Sequence, residues 1–179
     1  MQRILILAAA ASTAALGCIS AHAGCADPRT LVSGSVHRTT PTIVLPAAAA
    51  SDIHRSGDAG DRIVGTWLAT YTVEGNAFGQ AYIQWHSDGT EWENINLPVD
   101  GGNICAGSWM KVDSKHVFRN HWGWLYTNGQ LSGYFNETET DAVAHNGTYS
   151  GTNEQKIYDL NGNLLNDVTG TSSAVLIAP

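Results

Sequence analysis

Two stretches of this chain concentrate groups able to hold or pass a proton. The first is Gln84-Trp85-His86-Ser87-Asp88-Gly89-Thr90-Glu91-Trp92-Glu93-Asn94-Ile95-Asn96. Its central Ser-Asp-Gly reads as a hairpin turn, so the two arms face each other and His86 can approach Glu91 across it. An imidazole beside a carboxylate is an acid/base pair, because the carboxylate raises the imidazole pKa and fixes its tautomer. The same residues also suit an exposed hairpin tip carrying a solvated ion pair.

The second stretch is His116-Val117-Phe118-Arg119-Asn120-His121-Trp122-Gly123-Trp124-Leu125-Tyr126. Strand alternation puts Arg119 and His121 on one face and Phe118, Asn120, Trp122, Trp124 and Tyr126 on the other. With the aromatic face inside, Asn120 and Tyr126 supply the polar contacts of an aromatic-lined cavity. With the other face inside, Arg119 and His121 become buried charges that need partners. Glu137 and Glu139, sharing a face on the next strand, are the available carboxylates. The resulting candidate cluster is Arg119, His121, Glu137 and Glu139, with a cross-strand ion pair on the outer surface as its alternative. A zinc site needs three converging His or Cys side chains. His86, His116 and His121 have no spacing that brings them together, and His116 and His121 fall on opposite strand faces. No Gly-x-Ser-x-Gly elbow is present, and Ser108 in Gly107-Ser108-Trp109 lacks the strand-to-helix setting of that motif. The expectation is a protein with neither metal nor cofactor.

The elements that must position these groups are marked by turns. Ser87-Asp88-Gly89, Asp100-Gly101-Gly102, Asn128-Gly129, Asn146-Gly147 and Asn161-Gly162 cut the apolar runs after Ile63. Asn-Gly and Asp-Gly suit two-residue hairpin turns, whose central residues take positive φ. Eight strand candidates result: Ile63 to Val73, Gln80 to His86, Thr90 to Leu97, Ile104 to Asp113, Val117 to Tyr126, Leu131 to Thr140, Thr148 to Asp159 and Val168 to Ile177. Only Asp141 to Ala144 looks briefly helical. Eight is the strand number at which an antiparallel barrel is filled by side chains or holds one small molecule, so residues 62–179 are expected to form an all-β, eight-stranded, up-and-down antiparallel barrel. Alternation makes Trp67, Ala69, Tyr71 and Val73 the interior face of the first strand and Ala81, Ile83 and Trp85 that of the second. The third strand is ambiguous: Trp92, Asn94 and Asn96 share one face, Glu91, Glu93, Ile95 and Leu97 the other.

Residues 1–23 read as an export signal, with Arg3, an apolar run from Ile4 to Ala15 and a small-x-small site at Ala21-His22-Ala23. Lipidation at Cys18 is the rival reading. The run is too short for a permanent membrane span. Residues 24–61, with Pro41, Pro46 and four successive alanines, read as a linker or loosely held arm. Cys25 and Cys105 either form a disulfide, which an exported protein can keep, or leave Cys105 as a small buried hydrophobe. The net charge of −7 becomes −8 without Arg3, and the few Lys and Arg residues are scattered. That excludes the concentrated basic face needed for nucleic acid or an anionic membrane.

Gly65-Thr66-Trp67 resembles the Gly-x-Trp signature with which lipocalins and their calycin relatives open their first strand. The resemblance implies an up-and-down barrel whose Trp plugs one end and whose cavity binds a small, often apolar ligand. The chain carries no Thr-Asp-Tyr motif, and its closing strand lacks the Arg that lipocalins stack on that Trp. The Gly-rich strand Gly147-Thr148-Tyr149-Ser150-Gly151-Thr152 is similar to those of the eight-stranded allene oxide cyclase and dirigent type. The leading expectation is an exported barrel that binds a small apolar or aromatic molecule, walled by Trp67, Tyr71, Trp85, Trp92, Trp109, Trp124 and Tyr134. The alternative is a cofactor-independent lyase, isomerase or cyclase using His and Glu inside the same barrel; it requires His121 or His86 beside an interior carboxylate. A third reading, a surface that recognises sugar, requires Trp122 and Trp124 to be exposed. A homodimer through the outer wall is permitted by the fold but demanded by no residue.

Overall fold

The computed structural model describes residues 55–97 and 103–178. The expected signal peptide, most of the expected arm and the Asp100-Gly101-Gly102 turn lie outside them. Eight strands, β1 (Gly65–Val73), β2 (Asn76–Trp85), β3 (Thr90–Ile95), β4 (Ile104–Lys111), β5 (His116–Thr127), β6 (Gln130–Val143), β7 (Thr148–Asp159) and β8 (Leu164–Ala178), pair antiparallel in chain order, and β8 closes on β1. The fold is the closed up-and-down barrel that the turns and the Gly-x-Trp resemblance imply at this coarse level.

Of the expected turns among the described residues, one takes positive φ at both central positions; at Asp88-Gly89, Asn146-Gly147 and Asn161-Gly162 only the glycine does. Asn128 and Gly129 both take positive φ (48° and 86°) between β5 and β6, the conformation of a primed two-residue turn. Glu74 and Gly75 adopt the same conformation, at 49° and 79°, joining β1 to β2. Lacking Asn or Asp, that turn gave no sequence signal, and β2 consequently starts at Asn76, earlier than expected. The helix expected at Asp141 to Ala144 is absent. β6 continues to Val143 because Asp141 and Val143 both point into the barrel and are buried.

A single helical turn, α1 (Ala59–Ile63), lies where the expected arm meets the barrel. Asp58 caps it, accepting from the Gly60 and Asp61 amides, while the Asp61 side chain accepts from the Asp58 amide, a reciprocal capping box. Arg62 donates to the carbonyls of Ser114 and Val143, tying α1 across the barrel end. Ala59 and Ile63 are buried, and the Trp67 indole donates to the Ile63 carbonyl at 2.6 Å. Trp67 packs on Tyr149, with ring centres 5.0 Å apart, and Trp85 meets Tyr149 and Trp109 edge-on. Trp67 thus sits beneath α1 at one barrel end, within an aromatic layer that seals it.

Toward the opposite end Cys105, Leu125, Phe135 and Ile157 form a second, smaller apolar cluster. Cys105 is disulfide-bonded, which overturns its reading as a lone small hydrophobe; Cys18 and Cys25 both lie outside the described residues. No helix among the described residues is long and apolar enough to cross a membrane.

Candidate functional site

Between the two apolar layers the barrel is filled with charge. Arg119, with no exposed surface, stands at its centre. One guanidinium nitrogen donates to Glu93 at 2.9 Å and lies 3.6 Å from Glu91. The other donates to Glu137 at 2.9 Å, to the Tyr71 hydroxyl at 3.0 Å and to Glu139. Tyr71 in turn donates to Glu93 at 2.7 Å. His121, 1% exposed, lies between two carboxylates: Nδ1 is 3.1 Å from Glu91, and Nε2 is 3.3 Å from Glu137 but out of line for a hydrogen bond.

Strand register explains the convergence. Across β5 and β6, Arg119 pairs with Glu139 and His121 with Glu137, so every inward cation faces an inward carboxylate. Glu91 is two strands from His121, with Gly107 between them in the ladder. A Cβ at Gly107 would sit 2.4 Å from that of His121; its absence lets the imidazole lean across β4 to the carboxylate. Gly151 does the same between Asp141 and Ser172, whose hydroxyl reaches the carboxylate at 3.2 Å.

Five carboxyl groups meet two cationic side chains here, and protonation relieves the excess. Burial, reinforced by the charge of Glu139, pushes Asp141 well above the usual carboxylate range, and burial likewise raises Glu93. For Glu91 and Glu137 burial is outweighed by His121 and Arg119, and both are lowered. Burial and the Arg119 charge both oppose protonation of His121, but Glu137 and Glu91 prevail and raise it to about 10. At neutral pH His121 is therefore an imidazolium, a proton donor held by two carboxylates.

A cavity of about 20 Å³ adjoins this network on the side of the Glu74–Gly75 hairpin. Tyr71, Glu93, His121, Glu137, Asn153 and Gln155 form its polar side, and Val73, Phe78, Ile95, Phe135 and Val168 its apolar side. The volume holds one water molecule. Phe78 occupies the β-bulge where the β1–β2 register slips, between the pairs Tyr71–Gly79 and Thr72–Ala77, so its backbone is free of the ladder. A larger open groove of about 960 Å³ lies at the α1 end, against Arg62, His116 and His145, and contains none of the interior acid/base residues.

Of the residues expected to do chemistry, Glu91, Arg119, His121, Glu137 and Glu139 meet inside the barrel. His86 does not join them: it is exposed, and its Nδ1 lies 3.1 Å from the Thr90 hydroxyl. With Trp85 paired to Glu91 across the hairpin, both point inward, and His86 must point out. Of the expected cavity wall, Trp67, Tyr71 and Trp85 are interior, and Trp109 packs edge-on against Trp85. Trp92 and Trp124 are on the outer surface, 53% and 56% exposed. Asn120 and Tyr134 are also outward, Asn120 accepting from Asn136 and Tyr134 stacking on Tyr158. Tyr126 is half-exposed, past the bulge after Leu125. These placements correct the aromatic-lined cavity: the charged face of β5 is inside, where Arg119 and His121 meet Glu91 and Glu93 of β3 as well as Glu137 and Glu139 of β6.

Glu93 and Asp141 were absent from the expected cluster. Glu93 was legible, since it shares the face of Glu91; Asp141 was obscured by its apparently helical neighbours. Among the described residues no group of three or more His, Cys, Asp or Glu is arranged to hold a metal ion. No protein-family model matches the chain, and no curated protein matches it.

Proposed function

We propose that this barrel binds a small, largely apolar molecule carrying an acceptor oxygen, in the interior beside His121 toward the Glu74–Gly75 end. One observation carries the reading: the His121 Nε2, a buried donor held only by an ion pair with Glu137 at 3.3 Å outside hydrogen-bond geometry, belongs to a side chain that borders a cavity whose far side is apolar. A carbonyl or hydroxyl oxygen would satisfy that donor, and Phe135, Ile95 and Val168 would cover the rest, the pattern of a pocket with few placed polar groups. Phe78 must move to admit anything larger than water. The chain is further proposed to be exported, on the strength of Arg3, the run Ile4 to Ala15 and Ala21-His22-Ala23; N-terminal sequencing of the mature protein would begin at Gly24 under this reading and at Cys18 if it is lipidated.

The test is native mass spectrometry of the gently purified full chain, followed by thermal shift with small ketones, alcohols and phenols. A retained molecule, or a stabilising one, is expected to lose its effect in Phe78→Trp, which fills the cavity, and in His121→Gln. Stabilisation indifferent to both variants would place the ligand elsewhere and end the proposal.

The position of His121 between Glu91 and Glu137 favours a second reading, a cofactor-independent isomerase or lyase. An imidazolium donating to a carbonyl oxygen while a neighbouring carboxylate accepts a proton is general acid–base catalysis. Exchange of solvent deuterium into a bound ketone, lost in Glu137→Gln, would distinguish it from simple binding.

A further inference from the structure

The outer wall carries a second arrangement, independent of the interior. Trp92 on β3, Ala106 on β4 and Trp122 on β5 stand in one cross-strand row. Both indoles are half exposed, and Ala106 between them is exposed. Side chains rise roughly perpendicular to a sheet, so the indoles flank a slot two strand spacings wide, about 9.5 Å, with a methyl group as its floor. Contacts of about 3.5–4.0 Å on each side leave more depth than a flat aromatic ring needs and suit a puckered one.

The surroundings define the chemistry. Thr90, Ser108 and Asn120 form the adjacent outer row on one side of the slot, Asn94 lies on the other, and Gln84 pairs with Trp92 at its edge. All carry hydroxyl or amide groups and none carries charge. The nearest charges along the row of Trp122 belong to Lys156, two strands beyond, already paired with Glu154 at 2.8 Å. A face with two aromatic walls and flanking hydroxyls and amides, whose one adjoining carboxylate, Asp88, is taken up by the Thr90 hydroxyl at 2.6 Å, complements a molecule with apolar ring faces and an equatorial belt of hydroxyls. We infer that this slot is a binding site for one pyranose ring of a neutral polysaccharide. Tyr134, stacked on Tyr158 at 5.2 Å and 18°, lies outside the slot and touches Trp122 from the β6 side, with ring centres 6.0 Å apart at 38°, which leaves the side of Trp122 toward Ala106 for a ligand.

The experiment is affinity electrophoresis of the full chain in gels containing a neutral glucan, xylan or mannan, with Trp fluorescence titration by the corresponding hexasaccharides. Retardation by at least one neutral polymer is expected. Trp92→Ala and Trp122→Ala should each weaken hexasaccharide binding about tenfold or more, and Ala106→Leu should abolish it by filling the floor while keeping both indoles. Trp124→Ala, beyond the slot, should change it less than about twofold. All four positions are on the outer surface, and melting temperatures close to the parent exclude misfolding. Binding that survives Ala106→Leu overturns the inference. So does the absence of retardation by every neutral polymer, and so does sedimentation showing a dimer that Ala106→Leu dissociates, which would make the slot a contact between two copies of this chain.

Discussion

β1 and β5 have opposite polarity across the same wall. β1 turns Trp67, Ala69 and Tyr71 inward and shows threonines outside; β5 turns Arg119 and His121 inward and shows Asn120, Trp122 and Trp124 outside. Polarity alone therefore does not orient a strand here. Orientation follows from partners. The indole of Trp67 finds the Ile63 carbonyl and the Tyr149 ring, whereas Arg119 finds four carboxylates and a phenol. An interior of this kind holds its charges in place at a cost, because a buried ion pair is hardly better than apolar packing while a broken one is far worse. The inward face of β5 is thus expected to be more sensitive to substitution than that of β1, and its outward aromatics much less so.

The largest effect is expected from Arg119→Met. Removing the guanidinium leaves Glu93, Glu137 and Glu139 crowded without their shared cation, and loss of one partner of a buried ionic network costs about 3–5 kcal/mol. Chemical denaturation should show that loss, and adding Glu139→Gln should recover part of it by removing a stranded charge. A fully stable Arg119→Met protein would mean that the carboxylates need no cation.

Next comes pH. The folded His121 pKa of about 10 lies above its ordinary value of 6.5, so its stabilisation is complete below pH 6.5, shrinks as pH rises and is gone above about 10. Asp141 and Glu93, also raised, push the same way once the pH passes their ordinary carboxylate range. Glu91 and Glu137, both lowered, act oppositely, losing their contribution as the solution turns acid. Thermal stability should therefore fall between pH 6.5 and 10, by on the order of a few kcal/mol, and His121→Gln should flatten that slope. Identical slopes in parent and variant would remove His121 as the origin.

How far these features could be read beforehand follows from the same contrast. Turn chemistry announces four of the hairpins among the described residues because their glycines are selected by local φ; Glu74–Gly75 takes positive φ at both positions between the strands it joins, without an Asn or Asp to mark it. Alternation groups Arg119 with His121, and Glu91 with Glu93, because side-chain direction is a local property of a strand. The β5–β6 hairpin sets Glu139 opposite Arg119 and Glu137 opposite His121 whichever face is inward; the inward choice comes with closure of the sheet, which brings Glu93 of β3 within reach of Arg119. Closure is non-local, so the faces of β3 and β5 stayed ambiguous until register was known. Asp141 was lost for a related reason: its hydrogen bond to Ser172 crosses β7 at Gly151, so it follows from the register of two successive hairpins and not from the residues beside it.

On β1, Trp67→Phe tests the apolar half of the comparison. It removes the indole bond to Ile63 and part of a packed volume, for an expected loss of about 1–2 kcal/mol, below that of Arg119→Met. A greater loss for Trp67→Phe would make the aromatic layer under α1, and not the charge network, the more fragile part of the interior.

The smallest effect is expected on the outside of β5. Trp124 is 56% exposed and meets Tyr134 edge-on, with ring centres 6.5 Å apart. It belongs to a strand whose interior is already fixed by Arg119 and His121. Trp124→Thr keeps a β-former on the wall and should change stability by no more than about 0.5 kcal/mol, read from denaturant midpoints. A loss as large as that of Trp67→Phe would instead make Trp124 and Tyr134 a structural layer of the outer wall.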